Sequence, residues 1–362
     1  TAAILPRGLL SPFPGASPAR FDRGVIMMAA DGAIGLVSLG LVAAAADGSL
    51  TTAAILLALA LRSVGSAFHT PCIQAVTPLL APPEALTRCA GWSQGIQTVS
   101  MLLSPALAAL LYEQAPLAWD IALDTLGAVF AILGVLLARL PVLRVGDAGQ
   151  KLRVWADTVE GFRVLKSKRW LWELCLICAL FSVVFMPVSA LYPLMSIDYF
   201  HQGTQGAALV ETIWSVGMLL GSVVLGFWGG TRNKVYTMLG SVLFLGVTLV
   251  LTGLLPPSGF TAFAVLTMLM GLSAPFFNSI FTALIQEKVE GEYLGRVLGL
   301  TGAIMTLASP LGLAASALFS GRTGLSVWFL LAGIGTLACG ALAFALPSIR
   351  HCDDPAGPPV SD

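Results

Sequence analysis

Residues 235–255 read VYTMLGSVLFLGVTLVLTGLL, a run without Asp, Glu, Lys, Arg or His, and Arg232 and Lys234 stand just before it. At about 1.5 Å of rise per residue, such a run crosses the roughly 30 Å hydrocarbon core of a bilayer as a helix. Backbone groups in lipid must bond within their own segment, which a helix achieves. A barrel strand alternates apolar and polar positions over about ten residues, and this run does not. Nine further stretches read the same way: 24–46, 53–80, 89–112, 117–140, 170–197, 205–229, 259–285, 293–320 and 325–346. The expectation is an all-α polytopic membrane protein.

Composition agrees with that reading. Of 362 residues, 57% are hydrophobic and 10% charged, whereas soluble domains carry about 25% charged residues. A soluble enzyme, a disordered chain and a disulfide scaffold are all excluded. The 19 basic and 19 acidic residues cancel, so nothing attracts the chain to nucleic acid. Six cysteines (Cys72, Cys89, Cys175, Cys178, Cys339 and Cys352) lack zinc-type spacing and read as buried packing thiols. Three scattered histidines, His69, His201 and His351, form no His-Glu-x-x-His set. No enzyme, metal or cofactor is expected.

Charge placement predicts orientation. Sixteen of the 19 Lys and Arg residues fall in alternate connections, from Arg20 and Arg23 through Arg88 and the 139–169 stretch to Arg350. The positive-inside rule assigns those loops and the C-terminus to the cytoplasm. The longest connection lies on the same side. In it Leu152, Trp155, Val159, Phe162 and Leu165 recur at helical spacing, which predicts an amphipathic helix on the membrane surface.

Three patterns recur in order at similar offsets. Gly15-Ala-Ser-Pro-Ala-Arg20-Phe-Asp-Arg23 matches Gly226-Phe-Trp-Gly-Gly-Thr-Arg232-Asn-Lys234. Gly65-Ser-Ala-Phe68 matches Gly271-Leu-Ser-Ala-Pro-Phe276. Ser104-Pro105 matches Ser309-Pro310. The chain thus divides into an N-terminal bundle (1–141), a linker (142–168), a C-terminal six-helix bundle (169–347) and a tail (348–362). Carrying the offset back from 170–197 leads to positions before residue 1. The expected fold is two pseudo-symmetric six-helix bundles, the first helix missing and the second incomplete, with 1–18 as its remnant. Parallel repeats of this kind build transporters, with substrate bound at mid-depth.

Over roughly residues 12–347 the chain resembles the major facilitator superfamily, and within it bacterial exporters of the macrolide-efflux type. Gly15, Arg20 and Arg23 resemble the family's loop between helices two and three, with Ala19 where the family usually has Asp. Arg62-Ser-Val-Gly65 resembles its fourth-helix arginine motif. Pro82-Pro-Glu-Ala-Leu86-x-Arg88 resembles the loop that follows in these exporters. Ser104-Pro105-x-x-Ala-Ala resembles the antiporter motif of helix five, and Leu294-Gly-Arg296-Val-x-Gly299 resembles the start of helix eleven. The resemblance implies gating loops at Gly15, Arg20, Arg23, Gly226, Arg232 and Lys234. Pro105 and Pro310 are expected to bend their helices.

Ionisable groups inside a span are costly and should face the interior. Asp31, Arg62, Asp124 and Glu211 are the candidates for proton coupling, because a carboxyl group withdrawn from water binds a proton more readily. Asp120 reads as an outer-vestibule or packing residue. His69, Gln74, Phe181, Phe185, Tyr192, Phe276, Phe277 and Asn278 are the candidates for a substrate cavity. The expected function is proton-coupled export of an amphipathic small molecule by a monomer in a bacterial cytoplasmic membrane, with membrane lipid and protons as its other partners. A siderophore or lysophospholipid exporter on the same fold, and an inactive truncated transporter, are the alternatives.

Overall fold

The computed structural model describes residues 23–114, 117–138, 140, 154–319 and 324–353. Among them the regular structure is helical. Helix α1 spans Arg23–Ala46, α2 Thr52–Leu80, α3 Leu86–Gln114 and α4 Leu117–Ala138. A short helix, α5, covers Val154–Ser167. Then come α6 (Arg169–Leu194), α7 (Gly203–Trp228), α8 (Lys234–Gly253), α9 (Phe260–Lys288), α10 (Gly291–Phe319), α11 (Leu325–Ala345) and the single turn α12 (Pro347–Arg350).

Each of the ten expected spans falls on a helix. Among the described residues, nine helices are long and apolar enough to cross a membrane. The remaining span is α3, whose amino half carries Trp92, Ser93, Gln94, Gln97, Thr98 and Ser100.

Local chemistry sets the helix ends. Thr51 accepts a bond from Ala54 N at 3.2 Å and opens α2. Asn233 accepts one from Val235 N at 3.0 Å and opens α8. These side chains occupy donors that a helix start leaves without partners. Gly229 closes α7 with φ +78°, in the left-handed region that favours glycine. Pro71, Pro78, Pro187, Pro193, Pro275 and Pro310 all lie inside continuous helices.

The outward surfaces are apolar. Leu137 is 81% exposed, Met101 77% and Leu36 70%. In water such surfaces would associate, whereas lipid tails accept them. Lipid supplies little drive for helices to meet, so close packing must do so, and small residues permit it. Gly217 and Gly221 of α7 abut the α9 backbone at Met268 and Leu272, while Gly271 of α9 abuts Trp214. There is no space for a Cβ at any of the three.

The chain folds as two compact units. The first contains the described residues up to Pro83 together with Leu103–Leu165 and Gln286–Ala303. The second contains Glu84–Leu102, Lys166–Ile285 and the described residues from Ile304 onward. Helix α3 therefore begins in the second unit and ends in the first, and α10 does the reverse. Within the first unit α1 packs on α2 and α4; within the second, α11 packs on α6 and α8.

Candidate functional site

The first unit gathers charge. Asp31 is buried on α1, and His69 of α2 brings its Nε2 to 3.5 Å from the Asp31 Oδ2. That oxygen has no hydrogen bond among the described residues. The contact joins a carboxylate to an imidazole between two helices.

A second polar set lies between α1, α2 and α4. Arg62 Nη1 donates to Asp124 Oδ2 in an ion pair. Ser38 Oγ donates to the same oxygen at 2.5 Å. Arg62 and Asp124 also line a cavity with Leu41, Ile55, Leu59 and Ile121. Their side chains remain 40% and 30% exposed, so the pair is a half-solvated one.

Near the start of α1, buried Arg23 donates to two carbonyls, Ala75 O at 2.6 Å and Gly291 O at 2.9 Å. The first belongs to α2 and the second to the first residue of α10. Gln286 Nε2 at the end of α9 donates to Gln74 O at 2.6 Å. Arg296 of α10, 5% exposed, pairs with Glu160 of α5 at 2.7 Å. The amino end of α10 is thus held by hydrogen bonds and an ion pair.

The amino end of α3 is held differently in the second unit. A Cβ on Gly91 would stand 2.9 Å from Gly226 N, and one on Gly226 would stand 2.9 Å from the Trp92 ring. Trp92 meets Phe227 edge to face, centroids 5.2 Å apart. Arg88 lies across Gly229. This junction is steric packing of bare backbone against an indole.

The interior of the second unit is aromatic. Phe181, Phe185, Phe277 and Asn278 line one cavity of about 230 Å³. Phe185, Tyr192 and Glu211 line a neighbouring one of about 200 Å³. Trp214 lines both, and no sequence expectation singled it out. Its position one helical turn after Glu211 was the available signal. Phe181 stacks on Phe185 at 5.3 Å and approaches Phe277 at 5.8 Å.

The other candidates are dispersed. Phe276 faces Trp228, centroids 6.3 Å apart. Gln74 engages Gln286 through its main chain, and His69 belongs to the Asp31 pair. Arg232 is exposed, and Lys234 N donates to Asp353 Oδ2 at 2.8 Å. Pro105 lies in α3 and Pro310 in α10. Gly15, Arg20 and the segment 1–18 lie outside the described residues, as do the side chains of Asp120 and Pro105. Among the described residues no group of three His, Cys, Asp or Glu side chains could hold a metal ion.

Nine described helices able to cross a membrane, with charged side chains and cavities among the helices, are the features of a multi-pass membrane protein. Residues 1–210 and 183–359 match the family model of the Major Facilitator Superfamily, and the chain belongs to that family. Macrolide efflux protein A of Streptococcus pyogenes is 42% identical over 361 residues, covering 97% of this chain and 86% of that protein. Macrolide efflux protein A of Enterococcus faecalis is 43% identical over 321 residues, covering 86% of this chain and 96% of that protein. Among solved structures, the human organic anion transporter MFSD10 superposes with a TM-score of 0.75 at 17% identity, over 94% of this chain and 82% of that one. That likeness is one of fold.

Proposed function

We propose that the chain exports amphipathic drugs, macrolides among them, from a bacterial cell in exchange for protons, its two units alternating access to the substrate. The observation that carries the substrate reading is the 42% identity, along 97% of the chain, to a streptococcal protein named for macrolide efflux. Its basic loops and C-terminus face the cytoplasm, following the positive-inside bias of its connections.

The proton reading rests on the Asp31–His69 contact. Inside a membrane helix, the Asp31 Oδ2 has no hydrogen bond among the described residues, and the His69 imidazole at 3.5 Å offers a route for the proton. Arg62 and Asp124 neutralise each other while paired. Protonation of Asp124 releases Arg62 and so couples proton entry to movement of α2 against α4. The Arg23 bonds to Ala75 and Gly291 serve as a latch at the gating loop.

Accumulation of a labelled macrolide in cells expressing the chain tests this reading. Lower accumulation than in control cells, restored to the control level by a protonophore, is the expected result. Equal accumulation in both overturns the export reading. Export unaffected by collapse of the proton gradient overturns the coupling while leaving export standing.

A further inference from the structure

The Glu211 cavity carries more than the export reading uses. Glu211 lies eight residues into α7, about 12 Å along the helix from Gly203. Among the described residues its carboxylate has no ion pair and no hydrogen bond. Ser215 Oγ, one turn on, donates to the main-chain oxygen of Glu211 at 3.1 Å instead. Glu211 is exposed where it lines the cavity, and a carboxylate on a spanning helix is costly unless water or a cation reaches it.

The cavity it opens on has aromatic walls. Phe185, Tyr192 and Trp214 line it together with Met270 and Ala207. These rings are held in place. The Tyr192 hydroxyl donates to Thr267 Oγ1, and its ring packs on Phe263 at 5.4 Å and Phe329 at 6.0 Å. Trp214 sits edge to face on Tyr192 at 6.2 Å, and its backbone is fixed against Gly271. Aromatic faces carry negative quadrupole density, and a cage of them attracts a cation, best when the cation is poorly hydrated. An ammonium substituted with alkyl groups is such a cation. The single carboxylate then supplies the counter-charge, and the apolar rings meet the alkyl substituents.

We propose that this cavity is a binding subsite for an alkylammonium group, with Glu211 as the counter-ion and Phe185, Tyr192 and Trp214 as the ring walls. The inference deepens the export reading by naming the group that an exported amphipath presents to the second unit. The same chemistry occurs in free amines and in amine-bearing lipid headgroups.

The test is equilibrium titration of the purified full chain in phosphatidylglycerol nanodiscs with benzyltrimethylammonium. Saturable binding is expected for the wild type. E211Q should weaken it by about tenfold, the scale of losing the counter-ion of a bound cation. E211D, which keeps the charge, should stay closer to the wild type than E211Q does. W214L should weaken binding several-fold while each protein remains monodisperse. Absence of saturable binding by the wild type, or E211Q binding as tightly as the wild type, overturns the proposal. If E211Q does not fold, W214L decides by itself: unchanged affinity sinks the ring cage. Repeating the titration with phosphatidylethanolamine in the discs separates the sources. A raised apparent Kd assigns the site to the headgroup as well, and an unchanged one assigns it to free amines. Because the readout is binding, its failure leaves drug export testable in cells, and failure of export leaves the subsite standing.

Discussion

The two units of this transporter keep different chemistry inside. The first holds Arg23, Asp31, Arg62, His69 and Asp124, paired with one another or with main-chain oxygens. The second holds rings: Phe181, Phe185, Tyr192, Trp214, Phe263, Phe277 and Phe329 form a nearly continuous set of contacts, with Glu211 at one edge. The contrast extends to the helix ends they exchange. The first unit holds the amino end of α10 with a hydrogen bond from Arg23 and the Arg296–Glu160 pair, while the second holds the amino end of α3 with glycine against glycine. Duplicated sequence need not mean duplicated work. Charges suit proton handling, where protonation rewrites attraction; rings suit an amphipathic guest, which needs area and few fixed polar partners.

The largest test of this division is Asp31→Asn. Export driven by a proton gradient should fall to the level of cells lacking the protein, while benzyltrimethylammonium binding by the second unit stays near wild type. Loss of both would merge the two functions into one site.

Arg23→Ala comes next. It removes two charge-assisted bonds made by a buried side chain, which costs about 3 kcal/mol at the scale of hydrogen bonds to charged groups. A drop in melting temperature in detergent reads this directly, and Arg23→Lys should recover part of it. Gly91→Ala is expected to cost about 2 kcal/mol, the scale of overpacking, because its Cβ would press on backbone that cannot move aside. Gly226→Ala presses instead on the Trp92 ring. Its cost should shrink when combined with Trp92→Leu, and no such rescue should exist for Gly91→Ala. Equal rescue of both would erase the distinction between the junctions.

The smallest effect is expected at Arg62. Exposed to 40%, its pair with Asp124 is worth under about 1 kcal/mol in stability. Arg62→Leu should barely shift melting, yet proton-driven export should fail. A large stability loss would turn the pair into a structural strut.

Much of the fold is written in the chain as runs of apolar residues, because the bilayer imposes a length that a reader can count. Ten expected spans fall on helices. Arg23, singled out by the repeated patterns, reaches the first residue of α10. The partners of these residues are another matter. Asp31 meets His69 and Arg62 meets Asp124 only because α1, α2 and α4 pack together, and packing angles leave no trace in hydropathy. Phe276 and Phe277 are adjacent in sequence, yet one faces Trp228 and the other lines a cavity. Helix rotation decided that, and one apolar helix reads much like any other. The crossing of α3 and α10 between units was equally hidden, since each is an unbroken helix of ordinary length.

That crossing bears on how the protein is made. The first unit's own chain ends at Leu165, but its last piece begins only at Gln286, about 120 residues later. A ribosome adding about 5–20 residues per second leaves the nascent unit without its closing segment for on the order of ten seconds. During that interval Arg23 has no Gly291 carbonyl to bond, so the early helices must wait in the membrane unfinished until late translation completes them.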